Sequence, residues 1–128
     1  MKKIIFILIA TIALQTSFAQ LKNTRWEGAI KGDNPQNGVL DFKKDTLILY
    51  DVNNEIVETM TYKISANSFT LKKLNGKSDC DNTTPGKYTF EIKGGKMLIK
   101  NMIDLCDDRS SALDTTTWTK LKKSPKIK

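Results

Sequence analysis

The chain has 128 residues and a net charge of +7, with 21 lysine and arginine residues against 14 aspartate and glutamate residues and no histidine. Without imidazole there is no Ser/His or Cys/His nucleophile pair, no histidine-ligated haem and no common general base, so we expect neither an enzyme nor a bound cofactor. The lysines are scattered and are not interleaved with stacking aromatic residues, which predicts no nucleic-acid partner.

The first nineteen residues are typical of a cleaved export signal. The positive leader MKK precedes the apolar run IIFILIATIAL, and SFA supplies small residues before a cleavage site ahead of Gln20. The apolar run is too short to span a membrane, and the residue directly after the cleavage point is Gln20, not a cysteine that could carry a lipid anchor. We therefore expect a periplasmic or secreted protein with one domain over 20–121 and a basic disordered tail over 122–128.

Beyond the signal, short apolar or alternating runs are separated by turn residues at the spacing typical of an all-β sandwich or barrel. No stretch of useful length has the period of a helix. We count eight strands. The turn signals are GDNPQNG, KKD, NN, AN and GG, at residues 32–38, 43–45, 53–54, 66–67 and 94–95.

Residues directly opposite in an antiparallel pair point to the same face, so each hairpin can be tested for matching faces. The parity is carried from one hairpin to the next without a slip, and the matched inward residues are apolar apart from Glu58. The predicted pairs are Phe90 with Ile99, Ile92 with Met97, Ile64 with Phe69, Tyr62 with Leu71, Leu47 with Met60, Leu49 with Glu58, Leu40 with Leu49 and Phe42 with Leu47. The predicted fold is an eight-stranded antiparallel up-and-down meander barrel, because closure leaves no exposed edge. A two-sheet β-sandwich is the alternative.

In such a meander the connections alternate between two ends. We call them the tight-turn end, with turns at residues 44, 66 and 94, and the long-loop end, with loops over 32–37, 75–86 and 104–114. Cys80 and Cys106 lie in two loops at the long-loop end. In an exported chain they are expected to be oxidised to each other, whereas two thiols without histidine make a poor zinc site. We predict a disulfide between them.

Charge is sorted between the ends. Arg109 is expected to pair with Asp104 or Asp107 as an exposed ion pair of modest value. Oxygen-rich loops can bind calcium, but no EF-hand spacing is present, so we favour solvated acids and predict no metal site. The loop acids are Asp79, Asp81, Asp104, Asp107 and Asp108. Lysines 43, 44, 93, 96, 120 and 122 collect at the tight-turn end, a polarity suited to orienting the molecule at an anionic surface.

Several inward-facing residues are candidates for contact with a ligand. An eight-stranded barrel is just wide enough to be filled by its own side chains or to hold one small ligand, so inward aromatic residues are core first and ligand contacts second. Glu58 and Lys73 are diagonal neighbours with inward parity near the long-loop end. They could orient a ligand's polar group, or they could be solvated strand ends. The candidate ligand-binding residues are Glu58, Lys73, Met60, Tyr62, Phe69, Tyr88 and Phe90.

The segments TRWEG, GKYTFEIKGGKMLI, DLCDDRSSAL and TTTWTK resemble the small exported lipocalin-like barrels of bacteria, in the wider calycin group. Calycins usually carry Gly-x-Trp on the first strand and an arginine on or after the last strand. Here Thr24 stands at the glycine position, and Lys120 or Lys122 replaces the arginine. The resemblance implies that a small apolar or amphipathic molecule binds in the barrel mouth.

A different class of function stays open as the alternative. The disulfide-stapled loops could insert into a protein partner's cleft, as in an exported protein-interaction or hydrolase-inhibitor module. A strongly basic partner would have to meet the acidic loops, because the rest of the chain is cationic. We expect a monomer in either case.

Overall fold

The computed structural model describes residues 20–122, which form eight strands and a short helix. The strands are β1 (Thr24–Ile30), β2 (Gln36–Phe42), β3 (Thr46–Tyr50), β4 (Ile56–Ser65), β5 (Ser68–Gly76), β6 (Gly86–Lys93), β7 (Lys96–Asp104) and β8 (Thr116–Lys120). The helix α1 (Asp107–Leu113) lies between β7 and β8. The predicted export signal, 1–19, and residues 123–128 of the predicted tail lie outside the described residues.

Each strand pairs antiparallel with the next, and β8 pairs with β1. At this seam Trp26 lies opposite Lys120, and Gly28 lies opposite Trp118. The paired seam confirms the predicted up-and-down meander barrel. It also shows that the sandwich alternative is wrong, since a sandwich would leave two separate sheets.

The predicted hairpin registers are confirmed in all four hairpins that were tested by parity. Phe90 pairs with Ile99 and Ile92 with Met97 around the Gly94 turn. The remaining predicted pairs have the same partners in the structure. Alternation then buries Phe90 and exposes its neighbour Glu91. The wall of the barrel therefore follows directly from the period of two.

Three register shifts interrupt the ladders, at Leu49/Tyr50, Thr59/Met60 and Lys87/Tyr88. Each shift lies on the side of its strand pair nearest the long-loop end. The second shift sets Glu58 opposite Gly76, one residue beyond the position that an unbroken register would give. A bulge bends its strand and re-aims side chains, so the long-loop end departs from the regular barrel.

The chain enters β1 and β8 through two equivalent corners. The first corner is the segment LKNTRW, in which Leu21 is buried. The Thr24 hydroxyl donates to the carbonyl oxygen of Leu21. The Trp26 indole N–H in turn donates to the Thr24 hydroxyl oxygen over 2.8 Å.

LDTTTW repeats these contacts with Leu113, Thr116 and Trp118, again with 2.8 Å from the indole N–H to the threonine oxygen. The residue before the threonine has positive φ in both corners, 61° at Asn23 and 57° at Thr115. We call these the Leu21 corner, at the tight-turn end, and the Leu113 corner, at the long-loop end.

A short helix, α1, forms over residues 107–113, where the sequence has no helical period of useful length. Asp107 and Asp108 occupy its first turn, where the helix N-terminus favours negative charge. Arg109 and Leu113 are buried and lie four residues apart, on one face. The Lys31 N–H at the end of β1 donates to the carbonyl oxygen of Ala112 over 3.1 Å. Tertiary contacts therefore fix a helix of only seven residues.

Candidate functional site at the long-loop end

A cavity of about 380 Å³ opens at the long-loop end, between α1 and strands β1, β3 and β4. Its apolar wall includes Ile30, Leu49, Met60 and Leu113. These residues come from the inward faces of the strands and from the buried face of the helix. The cavity is therefore an extension of the hydrophobic core toward solvent, covered on one side by α1.

Glu58 lies in the cavity wall and is 96% buried, with 4% of its surface exposed. Its carboxylate accepts the backbone N–H of Ser78 over 3.1 Å and also the Ser78 hydroxyl. Gly76 makes room for it, because a Cβ at that position would lie 2.2 Å from the Glu58 Oε1 atom. The inward orientation of Glu58 agrees with the prediction from strand parity. The bulge places the Glu58 side chain against the loop after β5.

Lys73 lies opposite Met60, as the register predicts. Its ammonium donates to the carbonyl oxygen of Ser78 over 2.6 Å. Ser78 thus binds Glu58 through its N–H and hydroxyl and Lys73 through its carbonyl oxygen. The two charges predicted to be neighbours share this serine, but only Glu58 lies in the cavity wall.

Arg109, also in the cavity wall, is buried rather than exposed. Its Nε and Nη2 atoms donate to the two Asp104 oxygens over 2.6 and 2.8 Å, and Nη2 also donates to the Thr84 carbonyl oxygen over 2.9 Å. The partnership with Asp104 matches the sequence prediction, but the expectation of an exposed pair of modest value is wrong. Gly86 leaves the necessary space, since a Cβ there would lie 2.2 Å from an Asp104 oxygen.

The charge state of this buried pair is set by hydrogen bonds. Burial opposes ionisation of Asp104, but hydrogen bonds from Arg109 and Tyr88 outweigh it and hold the pKa of Asp104 below its ordinary value. Burial, together with the hydrogen bond to Asp104, raises the pKa of the Tyr88 phenol. The pair is therefore charged at neutral pH, with one arginine nitrogen, Nη1, buried without a hydrogen-bond partner among the described residues.

The predicted disulfide between Cys80 and Cys106 is present, with Cα atoms 5.4 Å apart. Strand pairing between β6 and β7 ends at Gly86 and Asp104, so residue 83 is not paired in a ladder opposite Cys106. The Asp79 N–H donates to the Asp108 carboxylate over 2.7 Å, a second link between the two loops. The disulfide indicates an oxidising environment outside the cytoplasm.

The four aromatic candidates lie in the barrel interior. Phe69 is the centre of their packing, with ring centroids 5.5 Å from Phe90 and 6.2 Å from Tyr88. Phe42 lies 5.2 Å from Tyr62 and 5.9 Å from Phe69 in edge-to-face geometry. None of these rings is in the wall of the cavity beside α1. The interior is a buried aromatic cluster, and the cavity lies above it.

The acidic loops do not form a metal centre within residues 20–122, where no group of three or more aspartate, glutamate, cysteine or histidine side chains is placed to hold an ion. Asp81 illustrates how these acids are used. Its carboxylate accepts hydrogen bonds from the backbone and hydroxyl groups of Thr83 and Thr84, which lowers its pKa to about 2. The Asp81 carboxylate therefore organises the turn that contains Thr83 and Thr84.

Arg109 and the helix that carries it are the parts of the site that sequence reasoning missed. The signal was present in DDRSSAL, where two acids open a helical turn and Leu113 follows Arg109 at a spacing of four. Seven residues are too few for a periodic pattern to stand out.

No known protein family, no curated protein and no solved structure matches the chain. Between residues 20 and 122, no helix has the length and apolar character needed to cross a membrane.

Proposed function

We propose that this chain is an exported lipocalin-like domain, acting in the periplasm or outside the cell, that binds a small apolar or amphipathic molecule at the barrel mouth. The cavity beside α1 carries the proposal. At about 380 Å³, it falls toward the lower end of the range for small-molecule pockets, roughly 300 to 1,000 Å³. The volume favours a small ligand rather than a long lipid chain held entirely inside.

The apolar part of the ligand is proposed to lie against Ile30, Leu49 and Met60. These residues are buried and belong to the floor of the cavity. The aromatic cluster below them is packed ring against ring, so in this proposal Tyr62, Phe69, Tyr88 and Phe90 support the floor. Ligand binding above a filled barrel needs less rearrangement than binding among those rings.

The polar part of the ligand is proposed to meet Glu58 and Arg109. Nη1 of Arg109 is buried without a hydrogen-bond partner in residues 20–122, and an unused buried donor favours a ligand that brings an acceptor oxygen. Glu58 offers carboxylate oxygens to a ligand hydroxyl or N–H. Lys73 reaches the same region through Ser78.

The test is a titration of fatty acids and hydrophobic dyes against the wild-type domain and two tryptophan variants. Ser111 is exposed and lines the cavity, whereas Ser110 belongs to the same helix but does not line it. We expect Ser111→Trp to weaken binding of any positive panel member by at least about tenfold, equivalent to about 1.4 kcal/mol. Ser110→Trp is the matched control and should stay near wild type. Equal binding by all three proteins, or no binding by the wild type, contradicts the proposal.

The variant Lys73→Met tests whether the Lys73 ammonium contacts the ligand. If the ammonium contacts an anionic ligand, its loss should weaken binding by about 10- to 150-fold, because a charge-assisted hydrogen bond contributes roughly 1.5 to 3 kcal/mol. Stability should change little, since Lys73 is only half-buried. An unchanged affinity would restrict the polar contacts to Glu58 and Arg109.

A second function, an interaction or hydrolase-inhibitor module, is supported by exposed apolar residues beside the disulfide. Leu105 is 82% exposed, and Met102 and Ile103 are also exposed. The surrounding acids suit a cationic partner. The assay is inhibition of a panel of basic hydrolases such as lysozyme. Inhibition that is abolished by Leu105→Asp and retained by Ser111→Trp would support this function over ligand carriage.

A further inference from the structure

A second and larger concavity lies at the opposite, tight-turn end of the barrel. Its volume is about 920 Å³, and it is formed by the Leu21 corner, the β2–β3 turn and the end of β8. We call it the basic groove. Its charged lining residues are Lys22, Arg25, Lys43, Lys120, Lys122 and Asp41. Among the residues that the structure describes, the groove is therefore lined by five cations and one carboxylate.

Strand pairing between β1 and β8 brings Arg25 and Lys120 together from distant parts of the sequence. Lys120 lies opposite Trp26 at the seam, and the Leu121 N–H donates to the Arg25 carbonyl oxygen over 2.8 Å. Arg25 also lies opposite Asp41 in the β1–β2 ladder. Arg25 and Lys120 are thus held on paired strands, and Lys22, Lys43 and Lys122 flank them from the adjoining segments.

The Asp41 carboxylate is shared between two cations of the groove. Asp41 lies 3.3 Å from the Lys43 ammonium and 3.8 Å from Nε of Arg25. Nε of Arg25 is itself buried and has no hydrogen-bond partner among the described residues. The partly exposed Arg25 guanidinium beside four lysines is suited to a phosphate group, whose oxygens accept charge-assisted hydrogen bonds strongly.

We propose that the basic groove binds the phosphate of an anionic lipid headgroup, so that the domain docks on a membrane surface by its tight-turn end. A groove of this volume is much larger than a lone phosphate. Further lysines at 44, 93 and 96 are exposed around it and extend the positive surface. Clusters of four to eight basic residues are typical of attraction to anionic lipids.

The distribution of other residues favours a lipid over a nucleic acid. Phe42, the aromatic residue in the groove lining, is fully buried, so it offers no open face on which a base could stack. The acids at 79, 81, 107 and 108 lie at the opposite end of the barrel. An anionic membrane would repel that end and attract the tight-turn end. Docking by the groove therefore directs the cavity beside α1 away from the membrane.

The experiment is flotation of the chain beginning at Gln20 with vesicles of phosphatidylcholine, alone or mixed with phosphatidylglycerol. We expect partitioning onto the mixed vesicles that declines as salt rises. The double variant Arg25→Gln/Lys120→Gln should partition about 10- to 30-fold less. Lys72→Gln/Lys100→Gln removes the same charge from exposed wall positions and should lose no more than about threefold. Equal losses would overturn the groove as the site.

Three further measurements complete the test. Circular dichroism checks folding, and Lys43→Gln/Lys120→Gln replaces the first variant if Arg25→Gln unfolds the chain. Calorimetric titration with glycerol 3-phosphate shows whether the groove binds a phosphate on a soluble molecule. If the wild type bound this compound, the groove variant did not, and neither bound vesicles, the lipid assignment would be overturned. Ser111→Trp should leave flotation unchanged, so failure of the ligand proposal and failure of this one are separable.

Discussion

Leu21 and Leu113 occupy equivalent places at opposite ends of the barrel, each held by a threonine hydroxyl and followed by a fully buried tryptophan. Around Leu21 the neighbouring connections are short, and the surface is a cationic groove. Around Leu113 there are three bulges, a helix, a disulfide and a cavity. The same local corner is therefore compatible with two different barrel ends. The adjacent loops, and not the corner, decide whether the end has a cationic groove or a cavity covered by a helix.

The buried ion pair offers the largest contrast between the two ends. Asp104→Ala leaves Arg109 charged and buried, so we expect a loss of about 3 to 5 kcal/mol in the free energy of unfolding. Asp41→Ala at the tight-turn end removes contacts to partly exposed Arg25 and Lys43 and should cost about 0 to 1 kcal/mol. Denaturant titration of both variants measures the contrast. Similar losses would mean that the Asp104 pair is solvated.

Acid pH should reduce the contribution of Asp104 to the stability of the long-loop end. The folded-state pKa of Asp104 lies below its unfolded value, so its contribution is complete above about pH 4 and is lost as the pH falls through the folded pKa. The stability difference between wild type and Asp104→Asn should therefore narrow on acidification. A difference that stays constant down to the acid unfolding transition would contradict this assignment.

Opening the disulfide should weaken one end and spare the other. Cys80 and Cys106 are 26 residues apart, and opening a loop of that size should cost about 3 kcal/mol on the chain-entropy view. Amide hydrogen exchange in the Cys80→Ser/Cys106→Ser variant should lose protection over 77–85 and 105–113. The hairpin at Gly94 and Gly95 is the internal control. Uniform loss of protection would show that the two ends unfold together.

The smallest contrast concerns the two corners themselves. Asn23 has a residue type that tolerates positive φ, whereas Thr115 is β-branched and is strained at 57°. We expect Thr115→Asn to stabilise the domain by about 1 kcal/mol and Asn23→Thr to destabilise it by a similar amount. Thermal unfolding of the two single variants checks the opposite signs. Two changes of the same sign would contradict the equivalence of the corners.

The wall of this barrel could be predicted from the sequence because alternation and turn residues leave little freedom. Phe90 opposite Ile99 and Leu47 opposite Met60 follow from the position of the turn alone. The position of Glu58 opposite Gly76 could not be predicted, because a bulge adds a residue without a strong signal.

The site at the long-loop end was predictable only in part. Inward parity identified Glu58 and Met60, both of which line the cavity. Arg109 escaped because its burial depends on Asp104, Gly86 and Thr84, which the fold brings together and local sequence does not. Short helices fixed by tertiary contacts leave a weak local pattern. The repeated Leu-x-x-Thr-x-Trp pattern, in contrast, can be read directly from the sequence.

The seam between β1 and β8 has a consequence for how the chain folds. Every other strand pair joins neighbours in sequence, so those pairs form through local loop closures. The seam pairs Trp26 with Lys120 and must close nearly the whole domain. We expect it to form last on the folding pathway, after the hairpins have lined up. Until then β1 and β8 are edge strands, each with one side unpaired, and the time before closure is when the chain is most exposed to aggregation.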